Sequence, residues 1–356
     1  MHALVLADPE LAERERSILN RLEIGLVDDG LRVTHVLPGS NAVASEHGVY
    51  ARVIVGPPKL WFRGPAGQAE WIAGRLEGDP APDVVHVLGD RLWPLATALA
   101  DRFECPLACE LWSKQSVELA AQRRDSGAGL FAADRALFDL AVGLGLDSRT
   151  RPTAWGVRAD GEPSVLVPPG RAPSLLVLGT GRDPELIRSC VRQIGEALQG
   201  RPEVEVFMDA DSGSARDVWK AAHDVGLQRR LSIIDKIERA RELVLHADML
   251  IYPESFGEQR GLLLDAMGRG LAIIAARDEA NSLISPDRCA VVDPHSPSGF
   301  GSALGRLLGD PEETRQLGRS AWSYVKAERR ASSHVTAVLD AYEWLVGKAS
   351  IPFSDG

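Results

Sequence analysis

Cysteine is scarce in this 356-residue chain, with four residues at positions 105, 109, 190 and 289. So few, so widely spaced, exclude a disulfide scaffold and fit a reducing compartment. Cys105 and Cys109 have no second cysteine pair and no histidine close in sequence, so they read as reduced core residues rather than metal ligands. Long apolar runs are missing as well. The longest is six residues, Leu271 to Ala276, against the ~20 a membrane-spanning helix needs. Positive charge is in deficit, with 40 Lys and Arg against 50 Asp and Glu for a net charge of −10. That balance disfavours sequence-independent binding to nucleic acid, which rests on neutralising phosphates. The arginine pairs at 123–124, 229–230 and 329–330 are short and separated, which does not make a basic membrane helix. The apolar stretch Ala3–Ala7 has no basic leader and is cut off by Asp8, so no secretory signal is expected and the protein is placed in the cytoplasm.

What is present is a globular composition, 45% hydrophobic and 25% charged, on a length that suggests two domains at ~150 residues each. Short aliphatic runs alternate with amphipathic stretches. Ala3–Leu6, Arg32–Leu37, Arg52–Val55, Val84–Leu88 and Leu107–Glu110 read as strands, and Glu10–Leu26, Gly67–Leu76 and Trp93–Phe103 as helices. The alternation pauses at Leu166–Pro173, which holds three prolines and a glycine, and then resumes. Strands are expected at 175–178, 204–208, 231–234, 249–252, 271–275 and 289–292. Helices are expected at 183–198, 214–225, 237–246, 259–269, 298–308, 312–326 and 333–346. Strict alternation implies parallel sheets covered on both faces, hence two doubly wound Rossmann-like α/β domains. The boundaries read as 1–168, 169–332 and a tail helix 333–356. Ligands of such sheets lie beyond the carboxyl ends of the strands, so these edges are expected to face each other across a cleft.

The segment Ala247–Ala275 carries the most chemistry. A buried strand ends at Pro253, a glycine-containing loop follows, and a helix is expected from about Gln259. On a helix, Glu258 and Asp265 are two turns apart and share a face. Gly261 lets a ligand approach the backbone, and the N–H groups of the first turn, Gly261 and Leu262 among them, favour a phosphate. The same spacing also fits two solvent-facing acids with glycine in an ordinary turn.

This segment resembles the donor-sugar signature of the retaining glycosyltransferases of family 4, whose fold is GT-B. Their pattern is a strand ending Ala-Asp-Val, Pro-Ser, then Glu-x7-Glu-Ala-Met-Ala-x-Gly. Counted from Pro253, the second glutamate falls on Asp265, followed by Ala266-Met267 and Gly270. The first falls on Gly257, one residue before Glu258. Elsewhere, Asp83–Gly89 is similar to the Asp-Val-Val-His-x-His-Gly of the first domain. Trp155-Gly156-Val157 resembles the Asn-Gly-Val before the linker, Ser174–Arg182 the first strand of the second domain, and 333–345 the helix that returns to the first domain.

The resemblance implies transfer of a hexose from a nucleotide diphosphate sugar to an acceptor hydroxyl, with retention and without a metal or other cofactor. Glu258 and Asp265 are the implied catalytic pair, and Asp265 the acceptor of the ribose hydroxyls. Arg182 follows the first strand of the second domain and is implied to hold the diphosphate. The family's nearby lysine is replaced here, with Arg188 the nearest cation, and Arg260 is expected to supply the missing charge. An alternative for Arg260 is a helix residue paired with an acid. Asp90 and Glu110 are expected at strand ends as contacts to sugar or acceptor, and His86 as a satisfied core histidine. Asp209-x-Asp211 has the spacing of a metal clamp, yet its loop is similar to the donor domain's turn, so no metal is expected. The acceptor class stays open between a glycan, a lipid-linked sugar and a small molecule, and a peripheral membrane contact is compatible with the chain. A competing reading keeps the GT-B fold without catalysis, for binding a nucleotide sugar or a protein partner.

Overall fold

The computed structural model describes residues 1–37, 50–56, 64–123, 126–159, 161, 163, 172–210, 214–235, 237, 241 and 246–349. The chain divides into two compact units, Met1–Gly156 with Ala331–Gly356, and Val157–Arg330. The expected boundary at 168/169, with Pro168 and Pro169, lies outside the described residues, as does most of the helix expected at 237–246.

The first unit is built on a seven-stranded parallel sheet. Its strands are β1 (His2–Ala7), β2 (Arg32–Leu37), β3 (Arg52–Val55), β4 (Val84–Leu88), β5 (Leu107–Leu111), β6 (Gly129–Ala132) and β7 (Thr150–Pro152). They lie in the order β3-β2-β1-β4-β5-β6-β7. Both faces of the central strands are buried, which is why they read as unbroken apolar runs. Its helices are α1 (Pro9–Arg14), α2 (Arg16–Asp28), α3 (Pro65–Arg75), α4 (Trp93–Phe103), α5 (Lys114–Gln122) and α6 (Arg135–Gly143). The stretch expected as one helix over 10–26 breaks at Glu15, whose backbone (φ −107°, ψ 23°) leaves the helical region. No proline or glycine marks that break.

The second unit carries a six-stranded parallel sheet of β8 (Ser174–Val177), β9 (Glu205–Asp209), β10 (Leu231–Ile234), β11 (Met249–Tyr252), β12 (Ala272–Ala276) and β13 (Ala290–Val292). The order is β10-β9-β8-β11-β12-β13. It is flanked by α7 (Pro184–Ala197), α8 (Ala215–Asp224), α9 (Gly261–Arg269), α10 (Gly299–Gly309) and α11 (Pro311–Glu328). The ends of this unit meet each other, the Val157 amide donating to the Arg329 carbonyl at 2.8 Å. Asp248, the acid of the Ala-Asp-Met run, accepts from the Ser174 amide at 2.8 Å and so ties the start of β8 to β11.

From Arg330 the chain returns to the first unit as α12 (Ala331–Ala349). Its stripe of Val335, Val338, Ala341, Tyr342 and Leu345 is buried against Val5, Leu22, Ala108 and Phe131, covering one face of the first sheet.

Glu23 on α2 anchors the start of β3. Buried at 2% exposure, it lies 2.9 Å from His35 Nε2 and accepts from the amides of Tyr50 (3.0 Å) and Ala51 (2.9 Å). Burial alone raises its pKa, but the hydrogen bond from His35, the two amides and the charge of His35 outweigh this and hold the carboxyl at about 2 instead of 4.5. A depressed carboxyl stabilises the fold above its unfolded pKa, and that contribution is lost as pH falls through the folded one. Urea unfolding of the parent is therefore expected to show a loss of stability between pH 4.5 and about 2 that Glu23→Gln does not share.

Candidate functional site

In the second sheet the strand order reverses between β8 and β11, the place where open α/β sheets bind ligands. The loops leaving these two strands are joined by one carboxylate. Glu254, two residues past β11 and 3% exposed, accepts from the Thr180 amide (2.9 Å), the Thr180 hydroxyl (2.8 Å), the Arg182 amide (3.1 Å) and the Asp183 amide (3.0 Å). Glu254 thereby fixes the backbone from which Arg182 projects. Sequence reasoning passed over it; the available signal was its position directly after the proline that ends β11.

The loop after Glu254 is held in an uncommon backbone form. Phe256 (φ 49°) and Gly257 (φ 70°) both lie in the left-handed region, which a phenylalanine seldom adopts. Asp278 supports it, accepting from the Gly257 amide at 2.7 Å and from the Ser255 hydroxyl. Phe256 is 44% exposed, with the Arg182 guanidinium 5.8 Å from its ring centre.

The helix begins at Gly261 with Arg260 as its N-cap residue, later than the expected start near Gln259. Glu258 thus belongs to the loop, and it shares no helical face with Asp265. Each acid meets its own arginine. Glu258, 1% exposed, forms a salt bridge with Arg182, whose side chain is 42% exposed. Asp265, buried in α9, forms a salt bridge with Arg241. Arg241 had not been singled out from the sequence, because nothing in its surroundings marks which loop it faces.

Arg260 is placed differently from a phosphate clamp. Its side chain is 1% exposed and its Nη2 lies 3.6 Å from Asp209 at the end of β9, itself 2% exposed. This is the pairing with an acid that stood as the alternative, buried rather than exposed. Arg188, on α7, meets Glu185 of the same helix and lies 3.6 Å from Asp217 on α8, so its charge is shared between these two acids. Gly261 and Leu262 form the first turn of α9 and both are buried.

In the first unit, Asp90 lies half-buried just past β4. Gly89 before it takes φ +107°, and a Cβ there would stand 2.5 Å from that of Asp8, so only glycine fits. Glu110 lies one residue before the end of β5, close to the expected strand-end position, but its side chain is enclosed. It lies within β5 at 1% exposure, its Oε1 accepting from the Trp155 indole N–H at 2.7 Å and its Oε2 standing 3.1 Å from His86 Nε2. His86 Nδ1 in turn lies 2.8 Å from the Tyr342 hydroxyl on α12. An acid that is to be buried needs donors on both oxygens, and here they come from the core, so Glu110 is part of that core. The cysteine thiols are pushed up by burial, to about 11 at Cys105 and Cys289 and to about 12 at Cys109, which makes them poor nucleophiles and poor ligands. Among the described residues no group of three His, Cys, Asp or Glu side chains is arranged to hold a metal ion. Asp211 lies outside those residues.

No protein-family model and no curated protein matches the sequence. Solved structures do match over the whole length. A glycosyltransferase from Rickettsia africae is 14% identical and aligns over 97% of this chain and 98% of its own, with a TM-score of 0.72. Sucrose-phosphate synthase from Thermosynechococcus elongatus is 15% identical over 98% and 100%, with a TM-score of 0.74. Anabaena HepE, solved with UDP, is 12% identical over 97% and 100%, with a TM-score of 0.69. The fold is GT-B. Identities this low speak for the GT-B architecture alone. No helix among the described residues is long and apolar enough to cross a membrane.

Two arginines expected at one phosphate site therefore differ in what their removal does. Arg260→Ala removes one partner of a buried salt bridge with Asp209 and is expected to lower stability by about 3–5 kcal/mol. Arg188→Ala removes a surface pair and is expected to change it by about 0–1 kcal/mol. Urea denaturation of both variants measures the contrast.

Proposed function

We propose that this chain is a glycosyltransferase that moves a hexose from a nucleoside diphosphate sugar to an acceptor hydroxyl, with retention and without a metal. The observation that carries this reading is the Glu254-organised loop at the switch point of the second sheet, which presents Arg182 at its rim. It is supported by the GT-B fold and by the neighbour HepE, whose solved complexes hold UDP and UDP-glucose. In this reading Arg182 neutralises the departing diphosphate. Asp265, oriented by Arg241, accepts the ribose hydroxyls, and Glu258 borders the reacting sugar. The backbone of Gly261 and Leu262 flanks the phosphates, and Asp90 in the first unit faces the acceptor. The rate gain is then electrostatic and positional, with charge stabilised where it develops and the acceptor hydroxyl held in line. The acceptor is a glycan, a lipid-linked sugar or a small molecule, and the setting is cytoplasmic, with peripheral membrane contact compatible.

A second reading, nucleotide-sugar binding without catalysis, has its own observation. Glu258 and Asp265 both already carry an arginine. The two readings separate on a panel of nucleotide sugars, followed by melting shift and by released nucleotide. A ligand at 100 times its Kd adds about 2.7 kcal/mol of stability. A shift with release supports transfer, a shift without release supports binding alone, and silence from the whole panel refutes both. On the parent that responds, Asp265→Asn is expected to weaken UDP binding by about 1.5–3 kcal/mol, the range for a charged hydrogen bond. Calorimetry reads the change directly.

A further inference from the structure

Three guanidinium groups stand around the switch point of the second sheet, and each faces a carboxylate: Arg182 with Glu258, Arg241 with Asp265, Arg260 with Asp209. Two of these arginines are enclosed, their side chains 12% and 1% exposed, whereas that of Arg182 is 42% exposed. An anion arriving from solvent therefore reaches Arg182, and it reaches a guanidinium that already has a counter-ion.

Glu258 is held firmly in that position. Its backbone carbonyl accepts from Asn281 Nδ2 at 3.3 Å, and its amide donates to the Ser255 carbonyl at 2.8 Å. The left-handed Phe256-Gly257 pair ahead of it is pinned by Asp278. The carboxylate is thus delivered by a braced loop, and the pair spans the two strands where the sheet reverses. A second, independent feature sits next to it. Gln259 is 0% exposed, and neither its Oε1 nor its Nε2 has a hydrogen-bond partner among the described residues. A buried amide left open costs about 1–3 kcal/mol, and it marks this segment as one that lacks a polar partner in the state described.

We propose that Glu258 is a built-in competitor for the donor's diphosphate, a carboxylate that occupies Arg182 and must be displaced before a phosphate binds there. This inference rests on the donor reading of the site and changes the part Glu258 plays in it. The residue sets how strongly the site holds an anion. A carboxylate and a phosphate both form charge-assisted N–H···O bonds with a guanidinium, so the exchange replaces the Glu258 contact by one to a phosphate. An anion with more charge, a diphosphate, gains more from the exchange than a singly charged one does.

The sign of one mutation decides the matter. If Glu258 bound the donor, removing its charge would weaken binding; as a competitor, its removal strengthens binding. UDP is the probe, measured by calorimetry at fixed salt on the full chain. Glu258→Gln is expected to bind UDP about tenfold more tightly than the parent, the order for one competing charge-assisted bond. Glu258→Ala, a second route to the same loss of charge, is expected to do likewise, and melting curves confirm that each variant is folded. In an Arg182→Ala background the gain is expected to vanish, because the two residues act through one contact. Equal or weaker UDP binding by both Glu258 variants overturns the inference, as does a gain that persists without Arg182. UDP binding by the parent without a gain in the variants leaves the donor reading standing and removes this inference alone. No UDP binding by any of these proteins removes the donor reading and this inference with it.

Discussion

A carboxylate buried at the end of a parallel strand is tolerable only where enough donors converge on it, and at Glu254 four do: three amides and a hydroxyl of the 180–183 stretch. Those donors belong to the loop leaving β8, while the acid belongs to the loop leaving β11. One side chain therefore sets the distance between the two loops that frame the reversal of the sheet. The direction of Arg182 follows from it, since the Arg182 amide is among the donors. The placement of Glu258 follows too, because the loop that carries it starts at Glu254. Without that carboxylate, the amides of the 180–183 turn would need other acceptors, and the Arg182–Glu258 pair would be left to link the two loops.

The same edge shows how charge is handled when it is enclosed. Isolated ions are expensive to bury, so each enclosed acid has a cation or several N–H groups, and each enclosed cation has an acid. Asp209 with Arg260 and Asp265 with Arg241 are pairs of this kind. Arg182 alone combines an enclosed partner with an exposed flank. That asymmetry separates the charges that hold the unit together from the one that meets solvent.

Much of the architecture was legible in the sequence. Strands with both faces covered are mostly apolar, so β1, β4 and β11 stand out as runs within a residue or two of their ends. The stripe on α12 was legible for the same reason. β6, β7, α5 and α6 were not read: the two strands have four and three residues and the two helices nine each. The break at Glu15 left no trace because no helix breaker occurs there. In the site, Arg182, Glu258, Arg260 and Asp265 were all identifiable as residues, whereas their pairing was not. A salt bridge between positions 182 and 258, or 209 and 260, depends on which strand ends become neighbours. Residue type does not contain that information. Glu110 illustrates the converse: it sits beside a strand end in sequence, yet its two oxygens are turned to Trp155 and His86.

The return of α12 to the first sheet has a consequence for the order of assembly. His86 and the Tyr342 that meets it are 256 positions apart, and the whole of residues 157–330 lies between the two parts of the first unit. At ~5–20 residues per second, a ribosome takes roughly 9–35 s to make that stretch. The second unit is contiguous, so its strands are free to pair before α12 docks. During that interval the face of the first sheet that will carry Val335, Val338 and Tyr342 is exposed, and with it Val5 and Phe131. The N-terminal part of this protein is thus the first to be made and the last to be closed, which concentrates the risk of aggregation in the half that would otherwise be expected to fold early.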